Sequence, residues 1–204
     1  MKEAFELIRR HRAAYLAANF GFYGLMIFGF ALAFANPELQ RQLIGTILQG
    51  FQTGPLSIAR DAYLSGKVLA ASGITFLVNA VLGSFVALTI PSLLIPFAGF
   101  GIGVYRALIL GVALAPTTPE MATAMIPHSL TILLEGQGYV LAMFGSYLLW
   151  ARALRSRHYG YPGFQAGYWS GLKANARLYL LIVMILAVAA VYEALEIIYI
   201  VGRQ

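Results

Sequence analysis

Apolar residues run through this chain in long blocks, near residues 15 to 35, 67 to 90, 92 to 115, 124 to 151 and 178 to 201, parted by short polar or proline-rich stretches. A hydrocarbon core of ~30 Å takes about 20 apolar helical residues to cross, so each block reads as a membrane-spanning helix. A spanning backbone must satisfy its own hydrogen bonds, which makes the α-helix the form these blocks take. The predicted fold is an all-α polytopic bundle of about five spans, one membrane domain over residues 1–204. Pro91 and Pro96 crowd one boundary of the third block, and Pro116, Pro119 and Pro127 crowd the start of the fourth. Such crowding predicts a broken or re-entrant helix.

Between the first two blocks, residues 36–66 open with Asn36-Pro37-Glu38, a helix cap, a proline suited to the first turn and an acid suited to the positive helix end. Leu39, Leu43, Ile44, Ile47, Leu48 and Phe51 then recur at helical spacing, with Gln40, Arg41, Gln42 and Gln49 between them. This predicts an external amphipathic helix over 38–51, ended by Thr53-Gly54-Pro55, whose stripe packs on the bundle or lipid or serves a partner. Residues 152–177 mix basic side chains with Tyr159, Tyr161, Phe164, Tyr168 and Trp169. That mixture predicts an interfacial anchor, with docking of a cytosolic partner as the alternative. Gly99 with Gly103, and Ala142 with Ser146, predict close helix packing. No internal repeat supports an inverted-repeat transporter.

Basic residues fix the expected orientation. Lys2, Arg9, Arg10 and Arg12 in the arm 1–14, with Arg152, Arg155, Arg157, Lys173 and Arg177, outnumber Arg41, Arg60, Lys67 and Arg203 on the other side. The positive-inside rule puts the N-terminus in the cytoplasm and the C-terminus outside a cell membrane. Mean hydropathy is +0.75 and only 11% of residues are charged, against about 25% in soluble domains. The formal charge of +6 sits beside apolar spans, a topology signal and not a nucleic-acid footprint. The chain has no Cys, which removes disulfides and thiolate chemistry. A cleaved signal peptide is not expected, because the first apolar block follows a charged arm and leads into further spans.

Candidate chemistry is confined to an intramembrane polar cluster: Asn79, Arg106, His128, Glu135, Glu193 and Glu196. Ionisable groups at such depth are costly and raise a question of function. Arg106 paired with Glu135 or Glu193, with Asn79 completing the network, would be structural glue. An excess of Glu over Arg would instead make an outward-facing proton or cation site, with His128, Glu135 and Glu193 as metal-ligand candidates. A Glu and His acting as acid and base would make an intramembrane hydrolase, but no HExxH or GxSxG motif accompanies them. No cofactor motif is present, and a non-enzymatic protein is expected.

Over most of residues 10 to 201 the chain resembles the stage II sporulation protein M family of small polytopic membrane proteins. The likeness rests on the order of apolar blocks and the amphipathic stretch after the first. It also rests on Asn79, Gly111, Pro127-His128 and Tyr192-Glu193-Ala194. Two departures stand out: Arg106-Ala107 where the family commonly has Asn-Gly, and Ile132 where it has a Glu, with Glu135 a turn lower in its place. The resemblance implies a non-enzymatic integral membrane protein; founding members act in spore engulfment and anchor peptidoglycan-degrading partners at the membrane. The expected role is a scaffold or membrane subunit of a larger assembly, partnered by lipid and by membrane or envelope proteins, with a homo-oligomer as an option. The alternative is a small transporter or permease subunit. The inner halves of the blocks, interrupted mainly by Ser84, Gln137, Gly138 and Ser146, speak against a continuous polar path.

Overall fold

The computed structural model describes residues 1–53 and 57–200. Among them all regular structure is helical: α1 (Lys2–Arg10), α2 (Arg12–Ala35), α3 (Pro37–Thr53), α4 (Ser57–Leu64), α5 (Val68–Leu94), α6 (Ala98–Leu114), α7 (Pro119–Leu154) and α8 (Phe164–Tyr199), with a 3₁₀ turn at Ser156–Tyr159. Four of them, α2, α5, α7 and α8, are long and apolar enough to cross a membrane, while α6 is apolar but has 17 residues. At 36 residues each, α7 and α8 run about 54 Å, well beyond a hydrocarbon core of ~30 Å. A helix of that length set across a membrane would extend past the hydrocarbon, and residues 164–177 are the first turns of α8.

The break expected at the proline cluster falls earlier than Pro127, and α7 runs unbroken through that residue. Pro116 lies in the non-helical stretch 115–118. There the Thr118 hydroxyl accepts from the Met121 N–H at 3.3 Å, and Pro119 occupies the first turn, where no backbone donor is needed. Pro96 sits in the turn between α5 and α6, where Phe97 takes a left-handed φ of 59°. Ser92 secures that turn: its hydroxyl accepts from the Gly99 N–H at 2.7 Å, and its carbonyl accepts from the Trp150 indole at 2.6 Å.

The core is the antiparallel seam of α7 and α8, filled by Leu141, Phe144 and Leu148 facing Leu178, Ile182 and Leu186, all fully buried. Close approaches follow the small residues. A Cβ at Gly29 or Gly111 would run into backbone across the α2–α6 crossing, and one at Gly103 would strike Met143. The middle of α5, Leu77–Thr89, winds as a π-helix, a wide geometry that recurs at functional sites. The N-terminal arm is folded too: Ala4 and Leu7 of α1 are buried, and Glu3 meets Arg177 of α8 at 2.8 Å.

Within 36–66, α3 covers the expected helix, but the face it turns inward is shifted. Gln40 is 3% exposed, while Leu39 is exposed. The Gln40 amide donates to the Ala115 carbonyl at 2.8 Å, and its oxygen accepts from Thr117 at 2.5 Å. Carbonyls past a helix end lack partners within the helix, so a glutamine serves the end of α6 as no leucine could. Leu43 packs beside it against Ala33, Val112 and Ala115. The Phe51 side chain and the Gly54-Pro55 terminator lie outside the described residues.

Candidate functional site

The bundle encloses a cavity of about 440 Å³ lined by Asn79 of α5, Arg106 of α6, His128, Glu135 and Tyr139 of α7 and Glu193 of α8. Ile47 of α3 and Tyr63 of α4 also line it, and the Tyr63 hydroxyl bonds to that of Thr75 at 2.7 Å. Four helices thus bring most of the expected polar cluster into one wall.

The wall is a chain of hydrogen bonds. Arg106 Nη2 donates to the Tyr139 hydroxyl at 2.9 Å, and the guanidinium carbon lies 4.3 Å from the Tyr139 ring centre. Tyr139 donates to Asn79 Oδ1 at 2.8 Å, and the Asn79 amide donates to Glu135 Oε1. The Glu135 carboxyl adjoins that of Glu193. Glu193 Oε2 and Arg106 Nε are buried without a hydrogen-bond partner.

The ion pair expected between Arg106 and Glu135 or Glu193 is not among those formed by the described residues. Tyr139, one turn below Glu135 on the same face of α7, takes the guanidinium instead and passes the interaction on through Asn79. Gly83 makes room for this: a Cβ there would stand 3.3 Å from both Arg106 terminal nitrogens and 3.1 Å from the Tyr139 ring. The guanidinium and the two carboxyls share the cavity without direct contact.

Glu196 stands apart. It is 1% exposed, and its two oxygens meet His128 Nδ1 at 3.0 Å and the Thr131 hydroxyl at 2.7 Å. His128 thereby spends one ring nitrogen on Glu196. Among the described residues no three His, Asp or Glu side chains come together to hold a metal ion. The metal candidates His128, Glu135 and Glu193 share a cavity but do not form a ligand set.

Sequence reasoning missed Tyr139, Tyr63, Thr75, Thr131 and Gly83. Tyr139 alone left a usable signal, its spacing of four from Glu135. The cavity offers a buried carboxylate oxygen with no donor, beside a second carboxyl. Such an acceptor is completed by an N–H cation or a proton. No family model, curated protein or solved structure matches the chain.

Proposed function

We propose that the chain is a non-enzymatic membrane subunit of a larger assembly, crossing the cell membrane five times with the N-terminus in the cytoplasm, and that its outer-half cavity captures a small ammonium-type cation. The observation that carries this reading is the unpartnered Glu193 Oε2 inside a cavity that also holds Glu135.

Support for α6 as the fifth crossing comes from its two ends. Its start is tied through Ser92 to Trp150, near the turn between α7 and α8. Its last carbonyls are tied through Gln40 to the start of α3, where α2 has just ended. A helix joining those opposite ends of the bundle crosses it. The turn between α7 and α8 is also where the basic residues gather, and α3 lies at the far end, as the positive-inside rule favours.

Binding is preferred over transport because the α7–α8 seam below Tyr139 is closed by fully buried Leu141, Phe144 and Leu148. The likeness to the stage II sporulation protein M family supports the scaffold role, with capture of a cation as the signal the subunit would read.

The whole protein in nanodiscs, heated with methylammonium, sodium or no added cation at constant ionic strength, tests the site. Methylammonium should raise the melting temperature more than sodium does, as binding to the native state requires, and Glu193→Gln should abolish the difference. Equal melting in all three conditions overturns the cation site. Single cysteines at Gln49 and Arg157, both exposed positions in a chain without native Cys, should label from opposite sides of the membrane.

A further inference from the structure

A second polar cavity lies at the other end of α7. Glu135 and Arg152 are separated along that helix by roughly 25 Å, so the two cavities sit near opposite limits of the hydrocarbon core. The second has a volume of about 490 Å³ and is walled by α1, the end of α7, the 3₁₀ turn and the start of α8.

Its arginines are not equivalent. Arg10 pairs with Glu6 at 3.2 Å and Arg177 with Glu3 at 2.8 Å, and all four of these side chains are substantially exposed. Arg152 is only 9% exposed and forms no ion pair among those of the described residues. Its Nη1 donates to the Ser170 carbonyl at 3.2 Å and to the Ser170 hydroxyl at 3.1 Å, while its Nε is buried without a partner. The negative end of the α7 dipole offsets part of this charge. A buried guanidinium with no anion remains among the costlier arrangements a protein can hold.

We infer that this cavity is a binding site for a phosphate-bearing anion, anchored by Arg152. Arginine matches phosphate oxygens with a planar fork of donors. The neighbours continue the pattern: Ser170 accepts from Arg152 and donates to the Tyr161 hydroxyl, which leaves the Tyr161 proton free to meet an anion. His11 lines the same cavity. Glu3 and Glu6 would oppose an anion, but each is already matched by its own arginine, so the unmatched charge is that of Arg152.

Two sources supply this chemistry, a soluble phosphate and the headgroup of an anionic phospholipid. The second is favoured by the surroundings. Phe164 and Trp169, in the first turns of the helix that supplies Ser170 to the cavity, are more than half exposed, as aromatic residues at a headgroup layer are, and anionic lipid concentrates on the cytoplasmic leaflet.

The test is thermal unfolding of the whole protein in maltoside micelles at fixed ionic strength, with inorganic phosphate, phosphatidylglycerol, phosphatidylcholine or chloride added. Stabilisation by phosphatidylglycerol alone assigns a lipid headgroup, and stabilisation by inorganic phosphate assigns a soluble ligand. Arg152→Gln should raise the half-effective concentration at least tenfold. Tyr161→Phe, which keeps the ring, should raise it several-fold and serves if the arginine variant does not fold. Glu193→Gln in the outer cavity should leave the response unchanged, which separates this site from the cation site. Equal melting in phosphate, phosphatidylglycerol, phosphatidylcholine and chloride overturns the inference, as does a response that Arg152→Gln and Tyr161→Phe both leave intact.

Discussion

Glu135 and Gln137 stand two residues apart on α7, face different neighbours and build polar clusters by opposite rules. On the Gln137 side every amide group is answered. Tyr15 donates to its oxygen at 2.6 Å, and its nitrogen donates to Asn19 at 2.7 Å and to Tyr23 at 3.1 Å. Asn19 and Tyr23 then close on the carbonyls of Tyr15 and Leu133. The cluster is neutral and directly bonded. On the Glu135 side the groups are ionisable, the arginine reaches the carboxyls only through Tyr139 and Asn79, and a cavity remains among them. Buried polar groups that serve packing are satisfied internally. Groups left with unspent capacity around an open volume are what a ligand site requires. On the proposed reading, the difference separates glue from site within one turn of one helix.

Changes that strip charge compensation from the Glu135 side should do the most damage. Arg106→Leu leaves Glu135 and Glu193 without their nearby cation and should cost about 3 kcal/mol, in the range for breaking a buried ionic arrangement. Adding Glu135→Gln and Glu193→Gln to the same chain should recover much of that loss, because no charge then remains to compensate. Unfolding of the single and triple variants in micelles measures both values. A triple variant no more stable than Arg106→Leu would mean that the carboxyls are not what the arginine serves.

Gln137→Leu should cost less, about 1–2 kcal/mol, the scale for leaving neutral hydrogen-bonding groups unpaired. It should leave the methylammonium response untouched. Glu193→Gln should cost almost nothing, since an amide nitrogen can donate to Glu135 and one buried charge is gone, yet it should abolish that response. Loss of the response in Gln137→Leu and not in Glu193→Gln would reverse the assignment of glue and site.

One side of this contrast was partly legible in the chain. The lengths of the apolar blocks gave the long helices, and the rarity of polar groups within them pointed to Asn79, Arg106, Glu135 and Glu193. Their convergence was not legible, because it depends on how α5, α6, α7 and α8 rotate against one another. Periodicity along one helix carries no information on that rotation. Tyr139 was passed over despite its spacing of four from Glu135, because a tyrosine in an apolar block reads as packing until a guanidinium is found on its face. Gln40 misled in the other direction. An amphipathic pattern assigns glutamine to water, whereas the open carbonyls at the end of α6 pulled it inward and turned Leu39 out. The arm 1–14 showed its basic residues as topology, and nothing in its pattern revealed that α1 packs on α8, where Glu3 meets Arg177, while Arg152 is left unmatched.

The Arg152 cavity extends the comparison, because it too holds unspent charge, and its smallest expected effect is read at His11. That imidazole stands 5.8 Å from the Tyr159 ring and shares its cavity with Arg10, Arg152, Arg177, Glu3 and Glu6. Burial first, then the charges of Arg152 and Arg10, hold its pKa below the ordinary value of 6.5. Below pH 6.5 the unfolded chain therefore binds more protons at this position than the folded one. The His11 contribution to stability is complete above that pH and declines as pH falls toward the lowered folded-state value. Replacing His11 with Gln should shrink the loss of melting temperature between pH 7.5 and 5.5. An anion seated against Arg152 would cancel part of the field that depresses the histidine, so phosphatidylglycerol should shrink the same loss in the native chain and not in His11→Gln. The Gln137 cluster, with no comparable charge beside it, predicts no such coupling, and Gln137→Leu should melt with the native pH dependence. A His11→Gln chain whose acid sensitivity matches the native one would show that neither burial nor the charges of Arg152 and Arg10 depress this histidine, and the coupling to a seated anion would fail with it.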